Sequence, residues 1–226
     1  MKPSRKAEIL NKFLAYMLGK SPGEFGLVPD TDGFVLIKDI LAALSQEPGF
    51  GYARQSSLNE VLLSTKNPCI EINNKKIKFR NWDNSWDKGI IKNPPKLLYT
   101  FVRQRGQAHA MEEGISPMGN LLVLSRDKEL AGKMGKRKGA DIILTINTKT
   151  AMESGVEFHQ KGEDIFITGY IPVGSFHGPP LPKKLKDNKK EALFFKSLFF
   201  YFLQFYFAEV SLHPFFIKSS KDTSFV

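Results

Sequence analysis

The stretch that decides the fold is LNKFLAYMLGKSP at residues 10–22, followed by GLVPDTDGFVL at residues 26–36. Apolar residues recur at helical spacing from residue 7 to residue 18, which predicts an amphipathic helix with one buried face. Ser21-Pro22-Gly23 ends this helix. After it, Gly26-Leu27-Val28 and Phe34-Val35-Leu36 predict two short strands around an Asp-Gly turn.

The next forty residues predict two more helices and a hairpin. Apolar spacing indicates helices over residues 37–44 and 56–64, the second with Ser57 as its cap. Residues 70–79 alternate about an Asn-Asn turn, which predicts a β-hairpin. Three helices followed by a hairpin is the layout of a winged-helix domain, a frequent binder of nucleic acids. We therefore expect a winged-helix domain over residues 1–80.

A turn-rich segment and a second domain follow residue 80. Residues 81–96 are rich in turn-forming residues and predict a linker. Residues 97–180 predict a mixed α/β domain, so the chain as a whole is expected to be α+β. The strands are expected at 97–102, 121–124, 141–146 and 165–168, and the helices at 106–114 and 127–137.

Residues 181–226 predict a lysine-rich linker followed by a phenylalanine-rich C-terminal tail. The longest run in the tail without a charge, Ser197 to Ala208, is shorter than the roughly 20 apolar residues needed to cross a bilayer. We expect the tail to pack on the second domain. An interfacial helix on an anionic membrane is the alternative.

Composition points to an anionic partner. The chain has 226 residues and carries 33 lysines and arginines against 23 acidic residues, a formal net charge of +10. Such a balance favours nucleic acid or an acidic surface, although a solvated lysine-rich surface would give the same charge. The single cysteine, Cys69, excludes an internal disulfide framework, and four scattered histidines predict no metal site. No secretory signal is evident, so a cytoplasmic location is expected.

The order of these motifs resembles that of the RNA 2′-phosphotransferases of the KptA family. Residues 10–22 are similar to that family's L-S-K-x-L-S-Y-x-L-R-H-x-P, and Asp30 to Val35 to its D-x-x-G-[FW]-V. In the second domain Glu113-Gly114-Ile115 resembles the start of its E-G-L-x-P-M. Residues 135–139, Gly-Lys-Arg-Lys-Gly, resemble its G-x-R-x-G. The resemblance spans roughly residues 8–176 and leaves the tail uncovered.

The resemblance implies a winged-helix domain joined to an ADP-ribosyltransferase-like domain, with NAD as co-substrate in the cleft between them. In the reaction it implies, an internal RNA 2′-phosphate attacks the nicotinamide ribose of NAD and expels nicotinamide. A ribose hydroxyl then attacks the phosphate and frees the RNA. Such a site needs cations around the phosphate and a pocket that positions the ribose.

The resemblance also assigns candidate site residues, several of which depart from the family pattern. Lys20 follows Gly19 where the family has Arg-His, and Lys78, or Arg80 if the register slips, stands in place of a second arginine. Arg137 matches the arginine of G-x-R-x-G. These four are the candidates for the RNA phosphate, with Lys20, Lys78 and Arg137 as the catalytic set. The candidates for holding NAD are Tyr99, Thr100, Ser125 and Arg137.

At other motif positions this chain lacks the side chains that the family has. Thr100-Phe101-Val102 replaces the family's H-G-T, and residues 121–125 replace H-V-H-L-S without either histidine. A catalytically inactive relative that binds RNA or nucleotides is therefore an alternative to the enzyme. A third hypothesis is an ADP-ribosyltransferase acting on protein or nucleic acid, with Glu157, Glu163 or Asp164 polarising the ribose. Convergence of Lys20, Lys78 and Arg137 on one cleft would favour a phosphate site.

Overall fold

The computed structural model describes residues 4–117 and 121–181. The chain divides into two units after Pro180, and all but the last of the described residues lie in the first. Their elements confirm the α+β class predicted from the sequence. The prediction for the C-terminal tail falls outside the described residues.

The N-terminal part contains three α-helices and a small antiparallel sheet. The first helix has the expected apolar face, on which Leu10 and Leu14 are buried, and Ser4 caps its N-terminus by accepting a hydrogen bond from the Ala7 N–H at 3.2 Å. The sheet has strand order β1-β3-β2, so the predicted hairpin forms and the first strand joins its outer edge. The elements are α1 (Arg5–Ala15), a π-helical turn (Tyr16–Lys20), a 3-10 turn (Pro22–Phe25), β1 (Val35–Leu36), α2 (Ile37–Leu44), α3 (Gln55–Ser64), β2 (Ile70–Asn73) and β3 (Lys76–Phe79).

Two local predictions for this part were wrong. Gly26-Leu27-Val28 is not a strand, because β1 pairs with β3 of the hairpin and leaves these residues as a connection without a strand partner. Ser57 does not occupy the cap position of α3. It lies in the first turn, where its hydroxyl accepts a hydrogen bond from the Arg54 N–H at 3.3 Å.

The second part is built on a seven-stranded antiparallel sheet with strand order β10-β7-β5-β6-β9-β8-β4. The central strands β5 and β7 pair over six residues, from Leu97↔Asn147 to Val102↔Ile142. The elements are β4 (Asp87–Ile90), β5 (Leu97–Val102), α4 (Gln104–Glu113), β6 (Leu122–Ser125), α5 (Lys128–Arg137), β7 (Ile142–Asn147), α6 (Thr148–Glu153), β8 (His159–Lys161), β9 (Ile165–Thr168) and β10 (Phe176–His177).

The segment predicted as a linker, residues 81–96, contains regular structure. A 3-10 turn over Asn84–Trp86 leads into β4, which pairs with β8 at the edge of the large sheet. Polar and glycine-containing edge strands give a weak sequence signal, because burial on one face is the pattern that identifies a strand.

A small apolar cluster joins the two parts. Val28 of the N-terminal part packs against Leu130, Met134 and Ile165 of the second. Gly26 adopts φ +59°, and a Cβ at this position would lie 2.3 Å from the Met134 side chain, so glycine allows the chain to pass this close to α5. In the described part of the chain, no helix is long and apolar enough to span a membrane.

Candidate active site

A cavity of about 320 Å³ lies where the two parts meet. One wall comes from residues 26–39 and β3, and the other from β6 and the C-terminal end of α5. We call it the basic cavity, because Lys76, Arg137 and Lys138 line it against two carboxylates, Asp30 and Asp39. An excess of cations in a partly enclosed site favours an anionic ligand.

Arg137 is the best-positioned cation of this cavity. It lies in the last turn of α5, a helix capped at its start by Asp127, and its side chain is partly buried. Its Nε donates a hydrogen bond to Gln46 Oε1 at 2.9 Å, while Gln46 Nε2 donates to the Lys133 carbonyl oxygen at 3.2 Å. Burial lowers the pKa of Arg137, and the carboxylates of Asp39 and Glu47 oppose that shift. Among the described residues, the two terminal nitrogens of Arg137 have no hydrogen-bond partner.

Three lysines lie in or beside the basic cavity. Lys76 lines the basic cavity and forms an ion pair with Asp30 at 2.8 Å. The Lys138 Nζ lies 5.6 Å from the centroid of the Phe101 ring, at the cavity wall. Lys78 lies 4.8 Å above the ring of Phe34, itself part of the wall, and 3.7 Å from the Glu71 carboxylate. Lys78 is therefore beside the basic cavity but does not line it.

Lys20 lies in a different cavity. The π-helical turn brings it to a space of about 210 Å³ that is also lined by both tryptophans, Trp82 and Trp86, and that we call the tryptophan cavity. Gly19, which precedes it, is in contact with β3, since a Cβ there would lie 2.9 Å from the Phe79 ring. Arg80 follows β3 and is exposed. Lys20 and Arg137 thus line separate cavities and Lys78 lines neither, so the three cations do not converge on one cavity as expected.

Most of the side chains expected to hold NAD are buried and form hydrogen bonds within the protein instead. Thr100 is 1% exposed, and its hydroxyl donates to the Val123 carbonyl oxygen at 2.9 Å. Ser125 is also 1% exposed and accepts a hydrogen bond from the Asp127 N–H at 3.0 Å. Tyr99 is half-buried and pairs with Ser125 and Thr145 across the sheet. Both hydroxyls therefore stabilise the start of α5 and the β5–β6 contact.

A third cavity of about 390 Å³ opens beside these strands. Its walls are mostly apolar and come from the end of β5, α4 and residues 114–116, with Arg103, Arg105 and His109 among the lining residues. We call it the apolar cavity. Phe101 lines it, and its ring centroid lies 5.6 Å from the Nζ of Lys138, which lines the basic cavity. The Arg103 guanidinium donates to the Lys138 carbonyl oxygen at 3.4 Å.

The acidic candidates are scattered. Glu157 is exposed and lines none of the three cavities. Glu163 and Asp164 line the tryptophan cavity, where Glu163 forms an ion pair with Lys88. Burial raises the pKa of Asp164, and Arg126 opposes that shift. No group of three or more His, Cys, Asp or Glu side chains within residues 4–117 and 121–181 is placed to hold a metal ion.

Sequence reasoning missed three residues of the site. Lys76 is two positions before Lys78 on the same face of β3, and Lys138 directly follows Arg137, so proximity to the chosen cations was their only signal. Gln46 gave no signal, because it lies 91 residues from Arg137 in the chain and its role depends on how the two parts pack.

Comparison with known proteins identifies the family. Residues 4–169 match the sequence profile of "RNA 2'-phosphotransferase, Tpt1 / KptA family". A protein of Acetivibrio thermocellus named "Probable RNA 2'-phosphotransferase" is 30% identical over 168 residues, covering 72% of this chain and 92% of the relative. A Pyrococcus horikoshii protein of the same name is 30% identical over 175 residues, covering 75% and 97%. Together with the order of its motifs, these matches show that the chain belongs to the RNA 2′-phosphotransferase family.

Proposed function

We propose that the protein transfers an internal 2′-phosphate of a tRNA-like RNA to NAD, with release of nicotinamide. One observation carries the proposal. The Arg137 guanidinium is held through Nε on the wall of the basic cavity, and its two terminal nitrogens have no hydrogen-bond partner among the described residues. Arginine with two free parallel donors suits bidentate binding of a phosphate.

In this proposal the basic cavity holds the 2′-phosphate. Arg137 binds the phosphate oxygens, and Lys76 and Lys138 add positive charge at the cavity walls. Lys78, beside Phe34, and Lys20, in the neighbouring cavity, contact phosphates of the flanking RNA. The substrate phosphate is itself the nucleophile, so the protein contributes orientation and charge rather than a catalytic base.

The residues around the apolar cavity fit NAD better than the buried hydroxyls do. The volume of about 390 Å³ falls within the range of roughly 300–1,000 Å³ typical of small-molecule pockets. Arg103 and Arg105 supply cations for a diphosphate, and the apolar walls suit a base and ribose. When bound, NAD supplies the electrophilic ribose carbon and the nicotinamide leaving group. Phe101 of the apolar cavity and Lys138 of the basic cavity, which lie next to each other, would border the reacting centre.

The finer assignment of the fold follows the same proposal. We assign residues 1–80 to a winged-helix domain, supported by the order of three helices and the antiparallel sheet of β1 to β3. Residues 97–180 correspond to an ADP-ribosyltransferase-like domain, joined to the first through residues 81–96. The lysine-rich linker and aromatic tail follow from residue 181. An RNA substrate agrees with a cytoplasmic location.

The test is an assay with an oligoribonucleotide that carries one internal 2′-phosphate, incubated with NAD. We expect loss of the phosphate and release of nicotinamide in equal amounts. Arg137→Gln should lower kcat/KM for the RNA about 10- to 150-fold, because a hydrogen bond to a charged group contributes about 1.5–3 kcal/mol. Lys136→Gln is the matched control, since Lys136 is an exposed lysine next to Arg137 in α5. Its activity should be close to that of the unmodified protein.

Other outcomes of this assay would overturn the proposal. Binding of the RNA without turnover at high protein concentration would indicate an inactive relative that serves as an RNA-binding module. ADP-ribose left on the RNA or on a protein would indicate an ADP-ribosyltransferase. Equal losses in the Arg137→Gln and Lys136→Gln variants would show that general positive charge, rather than the basic cavity, determines activity.

A further inference from the structure

The tryptophan cavity combines two aromatic rings with charged groups of both signs. Trp82 and Trp86 are the only tryptophans of the chain, and both line this cavity. Their ring centroids are 6.4 Å apart with an interplanar angle of 57°. Lys20 and Lys88 supply positive charge, and four carboxylates also line the cavity: Glu24, Asp83, Glu163 and Asp164.

Backbone contacts hold both rings in place. Gly33, at φ +83°, lies against Trp82, so that a Cβ there would be 2.3 Å from the ring. Gly162, at φ +67°, lies against the edge of Trp86, 2.5 Å from its Nε1 by the same measure. Both side chains remain partly exposed. Rings fixed on one side by backbone and open on the other offer flat surfaces for stacking.

Two polar groups of this cavity lack partners within the described part of the chain. The Trp82 Nε1 is buried without a hydrogen-bond acceptor. The Asp164 carboxylate is partly buried and has no hydrogen-bond donor, while burial raises its pKa. The other three carboxylates of the cavity already have partners: Glu163 pairs with Lys88, Asp83 accepts from Ser85, and Glu24 accepts from the Tyr16 hydroxyl. Asp164 is thus the carboxylate available to accept hydrogen bonds from a ligand.

We propose that the tryptophan cavity is a nucleobase subsite, in which a base of the RNA stacks on Trp86, with the tilted Trp82 ring beside it, and donates hydrogen bonds to Asp164. The inference rests on the proposed RNA substrate. The volume of about 210 Å³ is below that of typical drug-sized pockets, which suits one base rather than a dinucleotide. Guanine fits best, because its ring N–H and amino group form two adjacent donors for a carboxylate. Lys20, in the same cavity, binds the phosphate next to that base.

The intrinsic fluorescence of this protein tests the proposal directly, since both fluorescent tryptophans line the cavity in question. We expect a guanine-containing oligoribonucleotide to quench the fluorescence, and an oligouridylate of the same length to bind more weakly. NAD and ADP-ribose, titrated separately, should leave the fluorescence unchanged. Quenching by NAD would overturn the assignment to an RNA base, because the adenine of NAD would then be the occupant. Absence of quenching by any oligonucleotide would overturn the subsite altogether.

Three variants separate stacking from base selection. Trp86→Ala should weaken oligonucleotide binding about 5- to 150-fold, and Trp86→Phe should restore most of it, because stacking needs a ring rather than an indole. Asp164→Asn, which keeps the shape of the side chain, should abolish the preference for guanine over uracil without unfolding the protein. An unchanged base preference in Asp164→Asn would refute the role of this carboxylate.

The subsite and the enzymatic proposal can fail separately. Quenching by RNA with no transfer of the 2′-phosphate would retain the subsite and reject the activity. Transfer of the 2′-phosphate with no change in tryptophan fluorescence would retain the activity and reject the subsite.

Discussion

The contact between Gln46 and Arg137 gives the sharpest test of the site. Gln46 belongs to the N-terminal part, and its amide oxygen accepts from Arg137 Nε at 2.9 Å while its amide nitrogen donates to the Lys133 carbonyl oxygen at 3.2 Å. Both partners lie on α5, so one side chain links the two parts and orients the guanidinium. Gln46→Met keeps the length and volume of the side chain and removes both hydrogen bonds. The variant therefore perturbs the direction of Arg137 with little change in packing.

The size of the effect follows from the charge of the donor. A hydrogen bond to a charged group contributes about 1.5–3 kcal/mol, and partial exposure of the pair favours the lower end. A loss of about 1.5 kcal/mol in transition-state binding corresponds to roughly a tenfold fall in kcat/KM for the 2′-phosphorylated RNA. KM for NAD should change little, because Gln46 does not line the apolar cavity.

A double-mutant cycle distinguishes orientation of Arg137 from a general loss of stability. If Gln46 acts through Arg137, Gln46→Met should have almost no further effect on kcat/KM once Arg137→Gln has been introduced. Additive losses in the double variant would refute the reasoning, as would an unchanged kcat/KM in Gln46→Met alone. Thermal unfolding of each variant provides the control for folding.

Three further predictions test packing, ionisation and the NAD site. Gly135→Ala should destabilise the protein, because a Cβ there would lie 2.4 Å from the Ala140 carbonyl oxygen, whereas Gly132→Ala in the same helix meets no atom within 4 Å and should stabilise it by about 0.5–1 kcal/mol in denaturant unfolding. Cys69 should react slowly with a thiol reagent at pH 8 and rapidly in denaturant, because burial raises its pKa to about 11. The folded state thus favours the protonated thiol, so the contribution of Cys69 to stability should fall as pH rises toward 11. Phe101→Gly should lower KM for NAD, because removal of the ring lets the co-substrate approach the backbone of β5. The same change should cost about 3 kcal/mol of stability, since the ring packs against Gly135. An unchanged KM would contradict binding of NAD beside Phe101.

Much of the framework could be predicted from the sequence, because it depends on local patterns. Helix α1 has a strong apolar repeat, and the hairpin alternates about Asn73 and Asn74, the latter at φ +54°. These patterns extend over only a few residues and do not depend on the tertiary packing around them. The strands β5 and β7 were equally clear, because each is a continuous apolar run.

The elements that were missed depend on tertiary pairing. Strand β4 contains Asp87, Lys88 and Gly89 and forms only because β8 provides an edge for it. The composition of Gly26-Leu27-Val28 predicts a strand, but β1 pairs with β3 and leaves this segment without a strand partner. A short polar segment becomes a strand only when it pairs with another strand. When that strand is distant in the chain, the local sequence does not reveal the pairing.

In the candidate site, too, the sequence identified the motif positions but not which side chains line the cavity. Lys20, Lys78 and Arg137 occupy the motif positions in the chain, and of these three only Arg137 lines the basic cavity. Lys76 and Lys138, which do line it, stand beside motif positions rather than on them. The number of changed motif residues therefore does not indicate how much positive charge the cavity has.

That distinction bears on how the departures from the family pattern should be understood. Binding a 2′-phosphate requires a cationic field and at least one bidentate donor, and it does not require that each cation come from a fixed position. In the proposed site, Arg137 is the bidentate donor, and Lys76 and Lys138 supply the cationic field. The carboxylate of Asp30 is paired with Lys76, and although burial alone would raise its pKa, hydrogen bonds from Lys76 and the Phe34 N–H lower it. Asp30 thus stays ionised and partly neutralises Lys76, which makes Arg137 and Lys138 the dominant charges facing a bound phosphate. Activity in this chain should consequently depend on Arg137 and its orientation by Gln46 more than on either lysine chosen from the motifs.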